Sequence, residues 1–188
     1  ATTRRDLTLH LALDLGNTTW KMAFTVAMAQ PVRIRTIPAR DLHALAQEIA
    51  LAKTRFGLSP DAPVVSCYEA GRDGFWVHRA LTALGVTNHV VDSASIEGNR
   101  RGRQPKSDRL DATALVVKLV RYTQGEQHVW QVVHVPSALD EDRRHMHREL
   151  FVLTGERTRQ VNRIKGLLAL HGVGPLSALG LPVRLPAV

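Results

Sequence analysis

Cysteine is almost absent from this chain: Cys67 is the single one in 188 residues. No internal disulfide can form, and such usage suits a reducing compartment. Long apolar runs are missing too. Nothing approaches the roughly 18 consecutive apolar residues of a membrane-spanning helix, and the opening ATTRRDLTLH lacks the apolar centre of a secretion signal. No membrane partner is expected, and a cytoplasmic location is the simplest reading. His78, His145 and His147 come with no Cys/His set at zinc spacing, and His145 and His147 fall on nearly opposite sides of a helix. Negative charge is also scarce: 17 acidic side chains stand against 25 lysines and arginines, a net charge of +8. A clustered cationic excess points to nucleic acid, because cations neutralise phosphates and release counterions.

What is present supports a folded core. Hydrophobic residues make up 44% of the chain, too many for a disordered segment, and the length suits one domain with a short appendage. Residues 7–15, 18–26 and 31–38 alternate as strands, with Gly16-Asn17 and Gln30-Pro31 as turns, and predict an antiparallel meander. A helix is expected over 40–56 with Gly57 as its stop, a buried strand over 62–70, and a helix over 73–85 capped by Asp73. A short strand at 88–93 precedes the polar loop NRRGRQPKS, 99–107. Ser107 can cap the next helix, DRLDATALVVKLVRYT, and 128–135 is a last strand candidate. This order predicts an α/β fold, an RNase H-like mixed sheet flanked by helices, followed by a long C-terminal helix. The boundaries expected are a domain over 8–136, the helix over 137–174, and a tail over 175–188.

Four carboxylates attract attention. Asp14 interrupts an apolar strand, and Glu69 stands where the fourth strand ends. Asp108 and Asp111 lie three residues apart at a helix start and so share a side. Acids in a first helical turn are also favoured by the helix dipole alone, so that pair has a purely structural explanation. Strand ends and helix starts of a parallel sheet nevertheless meet at one edge, where sites usually form. Four oxygen donors gathered there would suit two Mg²⁺ (or Mn²⁺) ions and phosphodiester chemistry. Arg100, Arg101, Arg103 and Lys106 precede these acids in the loop. They read either as a solvated charge run or as a clamp for a nucleic-acid backbone. In the last helix, Met146, Leu150, Leu153, Val161, Ile164 and Leu168 form an apolar stripe broken by Arg157. Such a stripe needs a partner, either an intramolecular hairpin partner or a second copy, and a homodimer or higher homo-oligomer through 137–174 is expected.

Three segments, LALDLGNTTWKMAF, YEAGRDGFWVHRAL and KSDRLDATALV, resemble the acidic motifs of the bacterial insertion-sequence transposases with a DEDD, RuvC-like N-terminal domain, a group that includes the Piv-type DNA invertases. The segment RRHMHRELFVLTGERTRQVNRIKGLLALHGV resembles the long helix that follows this domain, so the match runs from about residue 8 to 174. The resemblance implies a metal-dependent transposase or site-specific recombinase acting on DNA. Asp14, Glu69, Asp108 and Asp111 match its catalytic, metal-binding acids. It implies a structured guide RNA as a second partner, and assembly through the long helix. Members of the family carry a further domain with a serine nucleophile, which nothing around Ser177 resembles. The expectation is therefore that these residues alone do not complete strand exchange. Two alternatives stand beside this reading: a non-catalytic nucleic-acid-binding remnant, and an ATP-binding domain of the actin and sugar-kinase type. The second rests on DLGNTTWK, which is similar to the first phosphate motif of that superfamily. No second Gly-rich phosphate loop accompanies it.

Overall fold

The first three strands fold back on one another, as the alternation predicts. Strands β1 (Leu9–Leu15), β2 (Thr19–Thr25) and β3 (Arg33–Pro38) pair antiparallel, with Leu15 opposite Trp20 and Thr19 opposite Pro38. The computed structural model describes residues 7–28, 30–71, 74–96 and 108–174, and for 108–111 the backbone only. The β1–β2 turn is tight: a Cβ on Gly16 would lie 2.5 Å from the Thr19 carbonyl oxygen, so the hairpin itself requires glycine there.

Helix α1 (Leu42–Phe56) begins at Asp41, whose carboxylate accepts from the Ala44 amide. It ends at Gly57 in the left-handed conformation, as its glycine stop predicts. Strand β4 (Val64–Glu69), helix α2 (Trp76–Ala83) and strand β5 (Thr87–Val91) follow, with β4 and β5 parallel to β1. The sheet order is β3-β2-β1-β4-β5, the RNase H-like arrangement of three antiparallel strands extended by two parallel ones. Helix α3 (Asp108–Thr123) packs on β1, β2 and β4. A long helix α4 (Ala138–Leu170) comes last, capped by Ser137, whose hydroxyl accepts from the Asp140 amide. None of the described helices is long and apolar enough to cross a membrane.

The sheet buries its faces in two layers of different character. One layer gathers Leu9, Leu11, Leu13, Trp20, Phe24 and Tyr68 under α1 and α2. The other sets Ala12, Ala23 and Cys67 against Ala112, Val116 and Leu119 of α3. In the first layer Trp20 is fully buried, and its ring centroid lies 5.7 Å from that of Trp76. Polar side chains tie the elements together. Arg33 and Arg35 of β3 both donate to the buried Glu48 carboxylate of α1, at 2.9–3.0 Å. The Ser66 hydroxyl donates to Asn88 (2.7 Å), whose amide meets His78 of α2 at 3.0 Å.

Two local expectations are corrected. Helix α2 starts later than residue 73, at Trp76, and its N-cap position is Phe75, without a side-chain cap; Asp73, the expected cap, lies outside the described residues. The segment 128–135 is not a sheet strand. It begins within a 3-10 turn (Gln127–Val129) and touches the sheet through one antiparallel bridge, Val91 to Val132. Its apolar residues serve both layers: Val129 and Trp130 join the α3 side, while Val133 and Val135 pack on the other. The segment therefore crosses the β5 edge and covers it, which accounts for an apolar pattern that resembles a strand. The loop 99–107, the Ser107 cap and the tail 175–188 lie outside the described residues.

The chain divides into two compact units, Ala1–Val135 and Pro136–Val188. In the second, α4 leaves Met146, Leu150, Phe151, Leu153, Leu167 and Leu170 exposed.

Candidate active site

Alternation along the strands decides which side each acid occupies. Leu9, Leu11 and Leu13 point to the α1–α2 layer and Ala12 to the α3 layer, so Asp14 shares the α3 side with Ala12. On β4, Val64 and Tyr68 take the first side and Cys67 the second, which gives Glu69 the α3 side as well. The two strands are parallel neighbours whose last register pair is Leu13 with Tyr68. Asp14 and Glu69 each follow that pair by one residue. They thus stand side by side at the C-terminal end of adjacent strands, which lie about 4.8 Å apart in a sheet. Asp14 is half-buried and Glu69 exposed. The Glu69 charge reaches inward: the Cys67 thiol is held well above its ordinary pKa, first by burial and then by that carboxylate.

Helix α3 runs against β1. Its last residue, Thr123, meets His10 near the start of β1 (Oγ1 to Nε2, 2.9 Å). From Thr123 back to Asp111 the helix spans about 18 Å at 1.5 Å per residue, whereas His10 to Asp14 spans about 13 Å of strand. The first turn of α3 therefore reaches the edge at which β1 ends. Positions 108 and 111 belong to the helical row of Ala112, Leu115, Val116 and Leu119, the residues buried against the sheet. The side chains of Asp108 and Asp111 lie outside the described residues, as do Arg100, Arg101, Arg103 and Lys106. Among the described residues, no group of three or more His, Cys, Asp or Glu side chains is gathered closely enough to hold a metal ion. Asp14 and Glu69 form a pair of oxygen donors, the chemistry that suits a hard divalent cation rather than a soft one.

Two cations border this edge that the sequence reading did not single out. Lys21 is directly opposite Asp14 in the β1–β2 register. Arg40 is, among the described residues, the non-glycine with positive φ (69°), and its guanidinium donates to the Asn17 carbonyl of the β1–β2 turn at 3.3 Å. Counting across the Gly16-Asn17 turn would have paired Lys21 with Asp14. The Arg40 conformation has no comparable signal in the sequence.

No protein-family model matches the chain. It is 38% identical over 168 residues, 88% of its length, to a curated protein of Sinorhizobium fredii (strain NBRC 101917 / NGR234) named "Putative transposase y4rJ". The chain spans 42% of that relative's length. An RNase H-like sheet with two carboxylates side by side at the ends of its central strands is thus carried by a chain similar, over most of its length, to a protein named as a transposase.

Proposed function

We propose that this chain is the RuvC-like catalytic portion of a DNA transposase or site-specific recombinase. The observation that carries the reading is the pairing of Asp14 with Glu69 at the C-terminal edge of the sheet, on the side covered by α3. The similarity to a protein named as a transposase supports it. Asp14, Glu69, Asp108 and Asp111 are the residues proposed to hold two Mg²⁺ or Mn²⁺ ions. Bound there, the ions would lower the pKa of a water and stabilise the leaving oxygen of a phosphodiester. The carboxylates would fix the ions to three separate backbone segments, and the proton lost by the attacking water would pass to solvent. The water oxygen would bond to phosphorus as the bond to the leaving sugar oxygen breaks, and that oxygen would take a proton from solvent.

The remaining proposals concern partners. Arg100, Arg101, Arg103 and Lys106 are proposed to grip a phosphate backbone, of the DNA or of a structured guide RNA. The apolar stripe of α4 is proposed to pair with the same helix of a second copy. Light scattering of the chain at micromolar concentration tests the pairing, and a monomer there rejects it.

The decisive experiment on the site is titration of the chain with Mn²⁺ by calorimetry, beside Asp14→Asn. Saturable binding to the wild type that disappears in the variant, with circular dichroism unchanged, is the expected result. Equal binding by both, or none by the wild type, overturns the metal site. A binding-only remnant would hold DNA without retaining Mn²⁺.

A further inference from the structure

The carboxylates of Asp14 and Glu69, side by side at one sheet edge, repel one another, and the strand opposite Asp14 places a cation beside them. Lys21 pairs in register with Asp14. On β2, Trp20, Met22 and Phe24 belong to the α1–α2 layer, while Ala23 belongs to the α3 layer. Lys21 therefore sits on the α3 side, together with Asp14 and Glu69. It is half-buried, and the neighbouring inward position on its strand, Ala23, is small. Directly opposite residues in an antiparallel pair have Cβ atoms about 4.5–5.5 Å apart. An ammonium on a four-carbon stem reaches both the Asp14 carboxylate and the space just beyond it. Neither Asp14 nor Lys21 is free of partners in the folded chain.

We infer that Lys21 is a phosphate-binding residue of this site, resting beside Asp14 and turning to a non-bridging oxygen of the reacting phosphodiester when nucleic acid is bound. The inference rests on the proposed four-carboxylate site. Lys21 forms and breaks no covalent bond. Its fixed charge stabilises the negative charge that builds on the phosphate in the transition state. A lysine suits the task because its ammonium is a compact charge on a flexible stem, with three donors and no fixed plane. A cross-strand partner of Asp14 with no other role would instead act on the metal site and on folding, and would leave the phosphate untouched.

The test compares wild type, Lys21→Gln and Lys21→Arg, with circular dichroism as the folding check. The probes are Mn²⁺ alone and a fluorescein-labelled 30-base-pair duplex in Ca²⁺, at several salt concentrations. For Lys21→Gln, Mn²⁺ affinity should equal or exceed that of the wild type, since a competing cation has left. Duplex affinity should fall by about tenfold, and the log–log salt slope by about 0.9, the loss of one phosphate contact. Lys21→Arg should restore the slope, since it keeps the charge. An unchanged slope in Lys21→Gln, or loss of Mn²⁺ and duplex affinity together, overturns the role of Lys21 while leaving the metal site standing. Failure of the wild type to bind Mn²⁺ overturns both. If Lys21→Gln does not fold, the comparison passes to Lys21→Met, whose stem has similar length and no charge.

Discussion

The two faces of the sheet solve different problems with the same five strands. Toward α1 and α2 the strands present Leu9, Leu11, Leu13, Trp20, Met22, Phe24 and Tyr68, large side chains that fill a thick layer. Toward α3 they present Ala12, Ala23 and Cys67 in the middle, with His10 at one end and Asp14, Lys21 and Glu69 at the other. Small residues bring α3 close to the strands, and that closeness aims its first turn at the acids. One face supplies stability through buried apolar area, and the other gives up area for position. A substitution should therefore act on folding on one face and on the site on the other.

The largest effect belongs to the thick face. Leu11→Ala should lower unfolding free energy by about 2–5 kcal/mol, the usual cost of a buried leucine cavity, measured by urea denaturation, with Mn²⁺ affinity of the folded fraction retained. On the thin face, Ala12→Leu should overpack the α3 contact at a cost of about 1–3 kcal/mol, and by shifting the helix it should weaken Mn²⁺ binding more than it weakens folding. Equal loss of both properties in these two variants would remove the distinction between the faces.

His10 gives a smaller, pH-dependent effect. It is buried under α3, and burial holds its pKa below the ordinary histidine value. The unfolded chain then binds a proton that the folded chain refuses. Stability from this residue is complete above the unfolded pKa, about 6.5, and is lost as pH falls below it. Denaturation curves at pH 7.5 and 5.5 should show the loss, and His10→Gln should reduce the difference between them. Smallest in stability is the basic loop. Arg100, Arg101 and Arg103 changed to Glu should alter unfolding by no more than about 0.5 kcal/mol, yet flatten the salt dependence of DNA binding, since each lost phosphate contact removes about 0.9 from its slope. An unchanged slope would reduce the loop to a solvated face.

Much of this architecture is legible in the sequence, because alternation and turn residues are local signals. The meander, the Gly57 stop and the order of strands and helices all follow from such signals. Segment 128–135 misleads because alternation reports only that residues are buried on two sides; it does not distinguish a strand from a chain wrapping an edge. The start of α2 misleads because a suitable cap residue in the sequence does not oblige the helix to begin beside it. At the site, the placement of Asp14 and Glu69 follows from strand ends. Lys21 needs the hairpin register, which depends on where the turn closes, and Gly16 sets that through its contact with the Thr19 carbonyl.

Cys67 lies on the thin face, fully buried beneath α3 and two residues from Glu69, with its thiol held protonated by burial and by that carboxylate. Thiol reagents react with thiolate that solvent can reach. Labelling of the native chain must therefore wait until α3 lifts from the sheet, and the single cysteine makes the reaction a one-site clock for that opening. Its rate follows the opening equilibrium whenever closing is faster than labelling, as for other local unfolding events. Ions that bridge strand and helix would slow the clock, and a disulfide-exchange reagent with a spectrophotometer would read it without any nucleic acid.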